Sequence, residues 1–193
     1  MMNPGYCART VLAAVAVFSI LLAALHFIEP EFDPSKRLIS EYELGRYGWV
    51  MSFAFFSLGV GVLATLASTW NFSRRRRGLI GRWWFLAISV ALFGGGIFYP
   101  YMPPNLASYI HGLCGVIVIV GFPIAASLYS SGLVYSQPWT RSWRQLRLAT
   151  GLVWVGLLSF AGSTIVLGII PHPVDRSNSN LLIGWQNRFM IVM

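Results

Sequence analysis

The chain has 193 residues, of which 56% are hydrophobic and only 10% are charged. Average globular proteins carry roughly 25% charged residues, so a soluble fold of this length could not cover its apolar side chains. The net charge of +8 does not indicate a nucleic-acid partner, because the basic residues lie in short segments between apolar runs. The composition therefore predicts an integral membrane protein, and the length favours a single domain over residues 1–193.

Five apolar runs have the composition of membrane-spanning helices, and a shorter one begins near the end of the sequence. The predicted spans are 10–28, 47–70, 83–98, 108–129 and 148–170, with a partial span at 188–193. The first run exceeds the usual signal-peptide core of roughly 7–15 residues, so we interpret it as a retained span. The sequence thus predicts an all-α, polytopic transmembrane helix bundle with five complete spans and a partial sixth.

The segment 26–49, between the first two runs, is where the carboxylates concentrate. It holds five of the six acidic residues, Glu29, Glu31, Asp33, Glu41 and Glu43. Ser40 precedes Glu43 by three residues, the spacing of a capping box, in which both side chains satisfy free N–H groups of a helix start. This pattern predicts that the second helix begins near Ser40 and enters the bilayer near Tyr47 and Trp49, since aromatic residues favour the interface.

Arginine residues cluster after the second and fourth predicted spans. The two clusters are Arg74, Arg75, Arg76, Arg77 and Arg82, and Arg141, Arg144 and Arg147. With a cytoplasmic N-terminus, the inner segments carry nine positive and no negative charges, whereas the outer segments carry five positive and six negative charges. Because Lys/Arg-rich loops stay on the cytoplasmic side, the charges predict a cytoplasmic N-terminus. We expect the run Arg74–Arg77 to contact anionic lipid headgroups.

Short motifs follow one another at the boundaries of the predicted spans. They are LH at 25–26, LISEY at 38–42, GRYGWVM at 45–51, HG at 111–112, FP at 122–123 and GWQNR at 184–188. In this order they resemble DUF998, a family of bacterial and archaeal membrane proteins of unknown function. The resemblance implies a six-helix bundle in a prokaryotic cytoplasmic (inner) membrane, but no activity. Because the last apolar run stops at Met193, we expect that the final span is absent or that the chain is truncated there.

The three histidines, His26, His111 and His172, lie at the outer ends of three different predicted spans. Neutral imidazole is a common zinc ligand, so three such side chains could converge on one divalent metal ion. The acids on the same face could then serve a metal-dependent membrane hydrolase as general base. The sequence has no HExxH and no Cys-x-x-Cys motif, which leaves two opposing interpretations. These polar residues either have a pH-sensitive or hydrogen-bonding role, or only cap and anchor helices.

Other site chemistry has less support in the sequence. A haem would need His26 and His111 as facing axial ligands, and a coupled transporter would need ionisable groups near the midplane of the spans. Catalytic residues stay unassigned. Glu41 and Arg188 are predicted lipid or partner contacts, together with the run 74–77. Arg188 could pair with loop acids, hold a lipid phosphate, or anchor its helix at the interface.

Taken together, these patterns favour a small integral membrane protein with a non-catalytic role, which binds lipid or a membrane-protein partner. A metal-dependent membrane hydrolase with an outer-face histidine and acid site is the alternative. An accessory subunit of a larger membrane complex is the second alternative, because aromatic and glycine residues on the helices suit lateral packing. We expect no nucleic-acid partner, and a divalent metal is the one cofactor that the residues suggest.

Overall fold

The computed structural model describes residues 4–72, 75–136, 139–169 and 183–193. Within these residues the chain is helical and contains no strand. The α-helices are α1 (Pro4–Ile28), α2 (Gly48–Thr69), α3 (Arg76–Ile97), α4 (Leu106–Leu133), α5 (Trp143–Ile169) and α6 (Ile183–Val192). Two 3-10 helices, Ile39–Leu44 and Trp139–Ser142, lie between them.

Helices α1 to α5 are long and apolar enough to cross a membrane. An α-helix rises 1.5 Å per residue, so the 22 residues of α2 cover about 33 Å, slightly more than the roughly 30 Å hydrocarbon core of a bilayer. The 10 residues of α6 cover only about 15 Å. The predicted all-helical fold with five long apolar candidate spans is therefore confirmed.

The helices pack largely in chain order, with α1 against α2, α2 against α3, and α3 against α4. Helix α5 contacts α4 and α6. Helices α2 and α3 are the most buried of the five spans, whereas α1 and α5 are largely exposed. The α3–α4 contact is close because Gly81 faces the backbone of Tyr129; a Cβ at Gly81 would lie 2.6 Å from the Tyr129 nitrogen.

Several helices begin earlier than the predicted spans. Helix α3 begins at Arg76 instead of residue 83, α5 at Trp143 instead of 148, and α6 at Ile183 instead of 188. Hydropathy marks only the part of a helix inside the hydrocarbon, whereas the helix itself continues through the interface. Arg76 and Arg77 are exposed in the first turn of α3, where long side chains can reach polar surroundings.

The predicted start of the second helix at Ser40 is wrong. The segment Ile39–Leu44 is a separate 3-10 helix, its N-cap is Leu38, and no side chain forms a cap hydrogen bond there. Helix α2 begins at Gly48. The capping-box spacing failed because Glu43 is buried among the helices, so its carboxyl is not available to cap a helix start.

Successive helices run in opposite directions, so the connecting segments form two polar ends of the bundle. The acidic end consists of segment 29–47, segment 98–105 and the first turns of α6, and it carries the buried carboxyl groups. The arginine end consists of the described residues near 70–77 and 134–147.

Candidate functional site at the acidic end

Segment 29–47 begins with a fully buried carboxyl group, that of Glu29. The backbone N–H of Tyr47 donates a hydrogen bond to Glu29 Oε1. A Cβ at Gly45 would overlap the Glu29 carboxylate, so any larger residue there would displace this side chain. Among the described residues, Glu29 Oε2 has no hydrogen-bond partner. Glu29 therefore folds the loop back onto the start of α2.

A second buried carboxyl group is that of Glu43, which belongs to the first 3-10 helix and faces α2 and α4. Its Oε1 atom lies 3.4 Å from the hydroxyl of Ser52, which is also 3.1 Å from the hydroxyl of Tyr99. Its Oε2 atom lies 3.3 Å from Nδ1 of His111. Burial raises the pKa of Glu43 to about 8, so the carboxyl group is largely protonated at neutral pH.

His111 is buried near the start of α4 and faces two backbone carbonyl groups. Its Nδ1 lies 2.7 Å from the carbonyl oxygen of Phe98 and 3.1 Å from that of Gly95. Because a carbonyl oxygen can only accept, Nδ1 carries the hydrogen, and Nε2 of the neutral ring is an acceptor. The 3.3 Å contact with Glu43 is longer than the bond to Phe98, and the Glu43 carboxyl group is largely protonated, so we do not interpret this contact as an ion pair.

His26, near the end of α1, uses both ring nitrogens within the protein. Nδ1 lies 2.6 Å from the carbonyl oxygen of Leu22, which makes Nδ1 the donor. Nε2 accepts a hydrogen bond of 2.9 Å from Nε of Arg188. The imidazole therefore connects α1 directly to α6.

Arg188 is only 7% exposed, and its guanidinium group donates to several groups of the acidic end. Nη1 lies 2.8 Å from the carbonyl oxygen of Arg37 and 3.0 Å from that of Gly184. Nη2 lies 3.4 Å from the hydroxyl of Tyr42. A buried guanidinium is stabilised when its donors are satisfied, and Arg188 thereby holds α6 against segment 29–47.

Two neighbours of Arg188 strengthen this attachment of α6. The side-chain oxygen of Asn187 accepts a hydrogen bond of 3.1 Å from the backbone N–H of Ile39. The backbone N–H of Gly184 donates to the carbonyl oxygen of Ser35 at 3.0 Å. A Cβ at Gly184 would overlap the carbonyl oxygen of Pro34, so the loop and the helix approach closely here. The GWQNR motif is thus the docking surface of α6.

The predicted metal ligands are only partly described. His26 and His111 lie at the acidic end, whereas His172 lies outside the described residues. Among the residues that the structure describes, no group of three or more His, Cys, Asp or Glu side chains could hold a metal ion. The three-histidine site stays a prediction, and His26 would have to release Arg188 before its Nε2 could coordinate.

The predicted lipid or partner contacts fall into two groups. Glu41 lies on the surface, 3.1 Å from Nη1 of Arg37, and Arg75, Arg76 and Arg77 are exposed at the arginine end, where Arg74 is outside the described residues. The Arg75 guanidinium lies 3.7 Å from the centre of the Tyr135 ring, a cation–π contact. Contact of these residues with lipid stays a prediction. Arg188, by contrast, is buried and bonded within the protein, so lipid could reach it only if α6 moved.

Beneath the acidic end lies a cavity of about 620 Å³ that touches all six α-helices. Its wall is mainly apolar. On α4 the lining extends from His111 to Pro123, which corresponds to about 18 Å along the helix axis. At the acidic end the lining includes the polar side chains of Ser40, His111 and Asn187. Ser19 and Thr65 also line the cavity, but their hydroxyl groups donate to backbone carbonyls of their own helices. The cavity is therefore mainly apolar along its length and polar at its acidic end.

This fold and site define a multi-pass helical membrane protein with buried ionisable side chains at one end of the bundle and a cavity between its helices. The chain belongs to the DUF998 family, described as proteins of unknown function, which matches residues 11–187. The family expected from the order of the motifs is confirmed, and the match extends from α1 into α6. No curated protein and no solved structure matches the chain.

Proposed function

We propose that this protein binds the apolar chain of a membrane amphiphile in the cavity between its helices, in a non-catalytic role. The observation that supports this proposal is the cavity of about 620 Å³, whose wall is apolar and whose acidic end is polar. Ligand pockets typically have volumes of roughly 300–1,000 Å³, and apolar cavities accept apolar ligands more readily than water. An amphiphile has the same division between an apolar chain and a polar head.

The position of the cavity also suits a ligand that comes from the bilayer. Val11 and Val15 of α1 line it on one side, and Val153 and Leu157 of α5 line it on another. Both helices are largely exposed, so the cavity lies just behind the surface that an acyl chain of the bilayer would contact. Filling the void restores dispersion contacts that the lining side chains otherwise lack.

Two glycines on α4 provide a matched test of this proposal. Gly115 lines the cavity, and a Cβ built there meets no atom within 4 Å, so Gly115→Leu should fill the cavity without displacing the helix. Gly112 lies on the same helix with equally open space, but it is exposed and does not line the cavity. Both substitutions raise helix propensity similarly.

The measurement is the amount of amphiphile that co-purifies per protein molecule in a mild detergent, determined by native mass spectrometry. Gly115→Leu should lower the affinity about tenfold, since overpacking a filled site costs about 1–3 kcal/mol. Gly112→Leu should retain the wild-type amount. Equal amounts in the two variants, or none in the wild type, would exclude the cavity as the binding site.

We further propose that the arginine end faces the cytosol of a prokaryotic cell and that the N-terminus lies on that side of the cytoplasmic membrane. The exposed side chains of Arg75, Arg76 and Arg77 at the start of α3 support this orientation. Exposed Arg141, Arg144 and Arg147 at the start of α5 lie at the same end. Anionic headgroups of the inner leaflet are the partners that such a surface would attract.

The metal-dependent hydrolase is the second candidate function. The observation that favours it is the Oε2 atom of Glu43, which has no hydrogen-bond partner in the described part of the chain and lies 3.3 Å from Nδ1 of His111. This function needs further ligands beyond those two side chains. Elemental analysis of the purified protein tests it directly, and a stoichiometric transition metal or zinc would favour the hydrolase over the binding protein.

A further inference from the structure

The polar end of the cavity is formed by side chains from three separate elements: Ser40 of the first 3-10 helix, His111 of α4 and Asn187 of α6. Each has a hydrogen-bonding atom without a partner among the described residues. These atoms are the Ser40 hydroxyl, Nε2 of His111 and Nδ2 of Asn187. A ligand head that reaches this end therefore meets a defined set of donors and acceptors.

The hydrogen bonds that these side chains already make determine the character of each remaining atom. The Phe98 carbonyl holds the hydrogen of His111 on Nδ1, so Nε2 of this lining residue is left with a lone pair that can accept a hydrogen bond. The backbone N–H of Ile39 occupies the side-chain oxygen of Asn187, so its amide nitrogen remains as a donor. Ser40 adds a hydroxyl group. The lining at this end of the cavity thus includes one acceptor nitrogen and two donors.

We infer that the amphiphile is a long-chain carboxylic acid, bound with its carboxyl group at Ser40, His111 and Asn187. This inference rests on the proposed function, the binding of an apolar chain in the cavity. The O–H of the acid donates to Nε2 of His111, and its carbonyl oxygen accepts from the Asn187 amide and the Ser40 hydroxyl. An ester lacks the O–H donor, and an alcohol lacks the carbonyl acceptor.

The depth of the cavity fits one acyl chain. The lining on α4 covers about 18 Å of helix, and one leaflet contributes about 15 Å of the hydrocarbon core. A chain of the length found in membrane lipids therefore occupies the apolar part while its carboxyl group stays at the acidic end. Asn187 and His111 are only 4% and 8% exposed, so their hydrogen bonds to a ligand would be shielded from water.

The test compares palmitic acid, methyl palmitate and hexadecanol as ligands of the full chain in detergent, with affinities measured by native mass spectrometry. Palmitic acid should bind at least about tenfold more tightly than methyl palmitate, because the ester leaves the His111 nitrogen unpaired. Ser40→Ala and Asn187→Asp should each weaken palmitic acid by roughly threefold to tenfold, and methyl palmitate by a similar factor, because the carbonyl oxygen of both ligands accepts from these two side chains.

Both variants are chosen to keep the fold. The Ser40 hydroxyl has no hydrogen-bond partner in the described part of the chain, and Asp at position 187 retains the oxygen that accepts from Ile39. Equal affinity for the three ligands, or unchanged acid binding in both variants, would overturn the carboxylic acid while leaving chain binding in the cavity intact. If the wild type binds none of the three, the inference and the proposed function both fail.

Discussion

The protonated state of Glu43 predicts how the stability of this protein depends on pH. The carboxyl group is buried, its pKa is raised to about 8 from an ordinary value of 4.5, and burial is the cause. Glu43→Gln keeps the shape of the protonated side chain and removes the ionisation. We therefore expect the substitution to stabilise the protein at neutral pH and to have little effect under acidic conditions.

The direction in which the free energy of unfolding changes with pH follows from proton binding. Below pH 4.5 the side chain is protonated whether the protein is folded or unfolded, so the pKa difference has no effect there. Between pH 4.5 and 8 the folded protein keeps a proton that the unfolded chain releases, and the free energy of unfolding falls as pH rises. The slope is about 1.4 kcal/mol per pH unit, which amounts to a loss of about 3 kcal/mol at pH 7.

The assay is unfolding of the detergent-solubilised protein, followed by circular dichroism near pH 5 and near pH 7. Glu43→Gln should match the wild type at the lower pH within about 1 kcal/mol and exceed it by about 3 kcal/mol at the higher pH. Glu41→Gln is the control, because Glu41 lies on the surface beside Arg37, and exposed ion pairs contribute about 0–1 kcal/mol.

One result would refute this reasoning. If Glu43→Gln destabilises the protein more at pH 7 than at pH 5, the carboxylate is ionised in the folded state. The 3.3 Å contact with His111 would then be an ion pair, and losing it would explain the loss of stability.

Two further substitutions test the other buried groups of the acidic end. Arg188→Met removes the hydrogen bonds that hold α6 and leaves several acceptors unpaired, so we expect a loss of about 3 kcal/mol and faster amide exchange in α6; unchanged exchange would contradict this role. Gly45→Ala forces the Glu29 carboxylate away from the N–H of Tyr47, so it should cost about 2 kcal/mol in thermal unfolding. In a Glu29→Ala background the same substitution should be nearly neutral, and an equal cost there would show that another clash is responsible.

The number and order of the spans could be predicted because hydropathy averages over about twenty residues and does not depend on packing. The exact beginnings of the helices could not, since a helix continues through the interface where its side chains are polar. Arg76 and Arg77 illustrate this, because they are helical and exposed although they precede the apolar part of α3. The sequence therefore predicts where the hydrocarbon lies better than where each helix begins.

The buried site was less predictable, because burial is decided by distant parts of the chain. Ser40 and Glu43 have the spacing of a capping box, but the packing of α2 and α4 around Glu43 overrides that local pattern. The side chain of Asn187 is held by the backbone N–H of Ile39, which lies 148 residues earlier in the chain. One usable signal was present: Gly45 and Gly48 lie in a polar segment, and isolated glycines there often mark a close approach of the backbone.

The two described histidines show why the open end of the site is at α4 and not at α1. In both rings a backbone carbonyl binds Nδ1, that of Leu22 for His26 and that of Phe98 for His111, and in both Nε2 becomes an acceptor. In His26 that acceptor is satisfied by Arg188, so the ring holds α6 in place. In His111 no described residue satisfies it, and the His111 side chain lines the cavity. A ligand that brings a hydrogen-bond donor can therefore bind Nε2 of His111. Nε2 of His26 is not available, because it already accepts a hydrogen bond from Arg188.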